Sequence, residues 1–144
     1  MPPEVAERMC EMARKAYPNE TGGILIGESI ANRIVAVADA TEPPADSKAT
    51  RNTFQRGVEG LVERLAANWR MGLYYVGEWH AHPGVLPTPS YTDRRALAAI
   101  SRDASLRCAS PILVIVGGKN QFETLGVYVQ WSSGGLESLS SQMD

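Results

Sequence analysis

The sequence predicts an α/β fold, a three-layer-like sandwich in which helices flank a mixed β-sheet. Three observations carry this expectation. Helical and strand periodicities interleave along the chain in the order αββαβαββ. Pro111 to Val116 is a continuous apolar run of the kind found in central strands. With 144 residues the chain can bury one substantial core but not two.

Each element has a local reason. From Pro3 to Ala16, Val5, Met9, Met12, Ala13 and Ala16 recur with helical spacing and predict an amphipathic helix. Tyr17 to Gly23 is rich in turn formers and ends it. Ile24 to Gly27 reads as a short buried strand, and Arg33 to Ala40 as its antiparallel partner. Thr41 to Asn52 holds two prolines among polar residues and reads as a loop. Gly57 to Trp69 carries Val58, Leu61, Val62, Leu65 and Trp69, the stripe of a second helix. Gly72 to Trp79 predicts a strand. His82 to Pro89, with three prolines and a glycine, predicts a rigid irregular loop. Ser90 opens a third helix reaching about Ser101. Phe122 to Trp131 alternates Leu125, Val127, Val129 and Trp131, as a half-buried strand does. A domain over residues 1–131 and a flexible Ser/Gly-rich tail over 132–144 are expected. Trp69 and Trp79 are expected in the core, and Cys10 and Cys108 as small buried hydrophobes.

Composition excludes several classes of function. The apolar share is 44% and the charged share 21%, which rules out disorder and coiled coil. The net charge of -2 and a pI near 5.7 have the wrong sign for a protein that binds nucleic acid through its phosphates. No apolar run reaches the roughly 18–20 residues of a membrane span. Met1-Pro2-Pro3-Glu4 lacks the basic and apolar regions of a signal peptide. The two cysteines lie far apart, as in a reduced cytoplasmic chain, and cannot build a Cys-rich zinc site. The only two histidines, His80 and His82, exclude every family that needs three or more.

Those histidines lie in Gly77-Glu78-Trp79-His80-Ala81-His82-Pro83, followed by Ser90 and Asp93. In extended chain, residues two apart point to one side, so both imidazoles can face one point. The proline-rich loop returns the chain to Asp93 in the first turn of the next helix. Two imidazoles and a carboxylate suit a tetrahedral zinc with one open position, where water can drop in pKa to about 7. Plainer readings exist for each part. His-x-His can be a solvated strand end, and Ser90-x-x-Asp93 has the form of a helix capping box. Glu78, two residues before His80, shares its face in a regular strand, so Glu78 and Glu20 compete on physical grounds as the base.

Taken together, the spacing is that of one family. His80-x-His82, seven residues from Pro83 to Pro89, Ser90, two more residues and Asp93 follow without gap. Upstream stands Glu20-Thr21-Gly22-Gly23-Ile24-Leu25-Ile26-Gly27. The chain therefore resembles the JAMM/MPN (JAB-domain) zinc isopeptidases from Val5 to about Trp131, and most closely the small stand-alone bacterial members. The resemblance implies the JAB/MPN, cytidine-deaminase-like fold and one zinc per chain on His80, His82 and Asp93. It implies that Glu20 orients water and moves its proton, and that Ser90 hydrogen-bonds the oxyanion. Glu78 is left as a candidate partner behind the ligands, and Gly22 and Gly23 as candidates for lining a substrate groove.

The function implied is hydrolysis after the C-terminal glycine of a ubiquitin-like protein or its conjugate. Partners would be E1- and E2-like proteins of the same operon, in a cytoplasmic antiphage setting, with no nucleic acid and no membrane. An alternative is release of cysteine or another small group from a sulfur-carrier protein. A non-catalytic MPN binding scaffold is the alternative of another class, although such members usually lose ligand residues that this chain keeps. Metallo-β-lactamase-like enzymes need Asp and His where Gly84 and Val85 stand. Zinc nucleoside deaminases need cysteine ligands. An iron(II) facial triad would need a cosubstrate site for which no motif is present.

Overall fold

The computed structural model describes residues 1–30, 34–118 and 124–139. In chain order the elements are α1 (Pro3–Ala16), β1 (Thr21–Ile30), β2 (Ile34–Ala40), β3 (Lys48–Ala49) and β4 (Phe54–Gln55). Then come α2 (Leu61–Trp69), β5 (Tyr74–Ala81), α3 (Tyr91–Arg102), β6 (Ile112–Gly117), β7 (Thr124–Gln130) and β8 (Leu136–Leu139). Arg33 and Phe122, expected to open two strands, lie outside the described residues.

Six strands form one sheet in the order β2-β1-β5-β6-β7-β8, in which only β5 and β6 run parallel. The crossover between them contains α3, as a parallel pair requires. Period-two alternation gives each face its own core. On one side, Val5, Met9 and Ala13 of α1 pack on Leu25, Val37, Val76, Trp79, Val114 and Val116. On the other, Leu61 and Leu65 of α2 meet Ile24, Ile26 and Tyr75, while Leu97 of α3 meets Leu113 and Ile115. The result is the expected helix–sheet–helix layering. Among the described residues no helix is long and apolar enough to cross a membrane.

Beside β1, strand β5 carries one irregularity. Ile24 pairs with Glu78 and Leu25 with Gly77, but Ile26 pairs with Tyr75, so the register shifts there. A Cβ on Gly77 would lie 1.9 Å from the Ile112 carbonyl oxygen, so the tight approach of β6 requires glycine. The shift brings Tyr75 and Glu78, three residues apart, together: the tyrosine hydroxyl donates to the carboxylate at 2.5 Å.

Five expectations need correction. Residues 136–139, assigned to a flexible tail, form β8 on β7, because Trp131 to Gly135 closes a hairpin through the Trp131 N–H to Gly135 carbonyl bond at 3.0 Å. Residues 140–144 lie outside the described residues. The region read as a loop, Thr41 to Asn52, holds β3, the first strand of the β3–β4 hairpin, whose tip is held by the Thr50 N–H to Thr53 carbonyl bond at 2.9 Å. Helix α2 starts at Leu61 and not Gly57, because Asp46 takes the amides of Val58 and Glu59 and holds that stretch as a turn. Trp79 is fully buried, but Trp69 is 56% exposed, stacked edge-on against Tyr74 with Arg107 over its ring. Cys10 and Cys108 are free thiols and only partly buried.

Candidate metal centre

The centre forms where β5 ends, β1 begins and α3 starts. His80 is in β5 opposite Gly22 of β1. His82 follows the strand, but its N–H still donates to the Val116 carbonyl at 2.8 Å, which keeps the chain extended and both imidazoles on one face. Ser90 is the N-cap of α3. Its Oγ accepts the Asp93 amide at 3.0 Å, and Asp93 Oδ2 accepts the Ser90 amide at 2.9 Å, a complete capping box.

The cap aims the Asp93 carboxylate at the histidines. Asp93 Oδ1 lies 2.9 Å from His80 Nδ1, and Oδ2 lies 3.2 Å from His82 Nε2. One donor atom from each of His80, His82 and Asp93 falls within 4.8 Å of the others, and all three residues are buried. Two nitrogens and an anionic oxygen converging at this range fit a divalent transition metal. Glu20, 60 residues upstream of His80, brings Oε1 to 4.0 Å from His82 Nε2 without joining the Asp93 network.

The electrostatics separate the two carboxylates. Burial opposes ionisation of Asp93, but hydrogen bonds from His80 and His82 outweigh it and hold the group well below the usual carboxylate range. Burial raises Glu20, and the neighbouring His82 offsets only part of that. Burial disfavours the charged His82 ring, yet the hydrogen bond and charge of Asp93 raise it overall. Asp93 is therefore the carboxylate held more firmly in its anionic form, and Glu20 the one that takes up a proton more readily.

A groove of about 620 Å³ opens over the centre, lined among others by Glu20, Arg51, Asn52, His82, Leu86 and Ser90. Gly22 and Gly23 do not line it. They are buried in β1, where a Cβ on Gly22 would lie 2.8 Å from both His80 Cδ2 and Phe54 Cε2, and one on Gly23 would lie 2.3 Å from the Thr41 carbonyl oxygen. Their smallness seats a histidine ring and a neighbouring loop, and the groove expectation is corrected accordingly. Glu78 bonds to neither histidine nor Asp93; it pairs with Arg56 and Tyr75. Sequence reasoning missed the hairpin that supplies Arg51, Asn52 and Phe54. Its only local signal was the polar Thr50-Arg51-Asn52-Thr53 turn.

The sequence profile of prokaryotic homologs of the JAB domain matches residues 2–131. The chain belongs to this family. A CD-NTase/cGAS isopeptidase of Enterobacter hormaechei is 50% identical over 113 residues, covering 78% of this chain and 63% of that protein. This chain thus spans less than two thirds of that relative. A probable metalloprotease of Sinorhizobium fredii is 27% identical, covering 82% of this chain and 74% of the relative. The solution structure of a Desulfitobacterium hafniense protein superposes with a TM-score of 0.72 over 99% of this chain and 90% of its own, at 19% identity, and shares the fold.

Proposed function

We propose that this JAB-family chain is a zinc-dependent isopeptidase that hydrolyses the amide bond after the C-terminal glycine of a ubiquitin-like protein. The observation that carries the reading is the position of Glu20. A half-buried carboxylate with a raised pKa stands 4.0 Å from one histidine of a His-His-Asp group, at the floor of an open groove. His80, His82 and Asp93 are the residues that would hold the ion. Bound there, zinc would act as a Lewis acid, making water more acidic and polarising the scissile carbonyl.

The chain's own residues do the remaining work. Glu20 accepts the proton that water loses as its oxygen adds to the carbonyl carbon. It returns that proton to the amine as the C–N bond breaks, so one carboxylate serves as base and then acid. The Ser90 Oγ already accepts from the Asp93 amide, which leaves its O–H to donate to the developing oxyanion. Asp93 stays ionised throughout.

The name of the Enterobacter relative, a CD-NTase/cGAS isopeptidase, supports a protein conjugate of the CD-NTase kind as substrate. In this reading E1- and E2-like partners attach the tag in the cytoplasm. The test is cleavage of ubiquitin-like fusions and lysine conjugates by the purified chain. Zinc-loaded wild type is expected to release the tag. A chelator should stop the reaction and added zinc restore it. Glu20→Gln should keep zinc and fold while losing at least ~10²-fold in kcat. Oxygen-dependent turnover with bound iron, or full activity in Glu20→Gln, would overturn the assignment.

A further inference from the structure

Behind the His-His-Asp group, β5 carries a second buried charge cluster. The Glu78 side chain is 7% exposed and accepts from Arg56 Nε at 2.5 Å and from the Tyr75 hydroxyl at 2.5 Å. Arg56 also donates to the Gly57 carbonyl at 2.8 Å. Because Arg56 directly follows β4, the ion pair fastens one root of the β3–β4 hairpin to the strand that bears His80. Ser47 Oγ, at the other root, accepts the Gly57 amide at 2.9 Å and so ties the two roots to each other.

This hairpin touches the candidate centre twice. The Phe54 ring meets the His80 ring edge-on, with centroids 5.5 Å apart, in the space that Gly22 leaves. The Thr50 carbonyl accepts the Glu20 amide at 2.8 Å. One small substructure thus contacts the ring of a proposed ligand and the backbone of the proposed base, which lie 60 residues apart. A hairpin of two-residue strands has too few contacts to hold itself in place, so its root anchors decide where it sits.

We propose that the Arg56–Glu78 pair is a positioning device, which holds the hairpin so that Phe54 orients His80 and the Thr50 carbonyl orients Glu20. Arg56 and Glu78 are positioning residues and do not touch substrate. The inference rests on the hydrolytic roles given above for His80 and Glu20. It assigns Glu78 a structural target, the hairpin, in place of direct contact with the ligands.

The test is hydrogen exchange at single amides in Arg56→Gln, where Glu78 keeps the Tyr75 hydroxyl as a partner. The Glu20 amide is expected to exchange about 10-fold faster or more, with the amides of β6 unchanged, because only a local opening is eased. On a cleaved fusion, kcat should fall by about 10-fold, and Arg56→Lys should recover most of the loss. If Arg56→Gln does not fold, the Arg56→Gln/Glu78→Gln double variant leaves no buried charge unpaired and is read in the same way. Unchanged exchange at Glu20 in a folded variant would overturn the proposal, and so would faster exchange across the whole sheet. The exchange measurement needs no substrate. A wild type that cleaves nothing would defeat the isopeptidase reading while the positioning test still stands.

Discussion

Replacing Ser90 with alanine separates the structural from the catalytic duty of one hydroxyl. Its Oγ accepts the Asp93 amide at 3.0 Å, whereas the reciprocal bond from the Ser90 amide to Asp93 Oδ2 at 2.9 Å does not use the hydroxyl. Ser90→Ala therefore removes half of the capping box, a loss of about 1 kcal/mol. For a chain of this size that lowers Tm by roughly 3–5 °C. Asp93 keeps its contacts with His80 and His82, so zinc content is expected to stay near one per chain. A lost oxyanion donor costs about 10²–10³ in kcat, equivalent to roughly 2.7–4 kcal/mol in the barrier, well above the cost to the cap. The two effects also differ in kind. The cap cost shows only in the melting curve, while the catalytic cost persists at temperatures where both proteins are folded. Thermal melts, zinc analysis and kcat on one preparation distinguish them. A folded, zinc-loaded Ser90→Ala with near-normal kcat would refute the oxyanion role and leave Ser90 as a cap.

Three further substitutions or modifications probe other residues of the fold and the site. His82→Ala should lose stoichiometric zinc by metal analysis, since no other histidine except His80 exists to replace it. Gly22→Ala places a methyl 2.4 Å from the Trp79 carbonyl oxygen and 2.8 Å from His80 Cδ2. It should cost about 1–3 kcal/mol by denaturant unfolding and weaken zinc binding, whereas an unaltered zinc affinity would show that the ring is not held there. Cys108, its thiol pushed up to about 11 by burial and then by the charge of Glu78, stays protonated at pH 8. Iodoacetamide should label it much more slowly in the folded chain than in urea, with the folded rate rising as pH approaches 11.

The sequence by itself determined those parts of the site whose geometry is local. His80 and His82 face one way because extended residues two apart must, and Ser90 and Asp93 meet because a helix start brings residues three apart together. The layering was legible for the same reason: the periodicities of α1 and β7 declare their buried faces, and the continuous apolar run of β6 declares a strand buried on both. Glu20 was different. Its residue type competed with Glu78, and only family resemblance favoured it, since nothing local says which glutamate reaches the histidines. Tertiary structure decided that through the β1–β5 register, which pairs Thr21 with Ala81 and brings Glu20 to 4.0 Å from His82. The register shift next to Gly77 brought Tyr75 to the Glu78 carboxylate, which Arg56 and Tyr75 engage in place of the histidines. The β3–β4 hairpin and β8 were hidden for a related reason. Their short polar segments carry little pattern of their own, and their strand hydrogen bonds exist only once a neighbouring strand is in place.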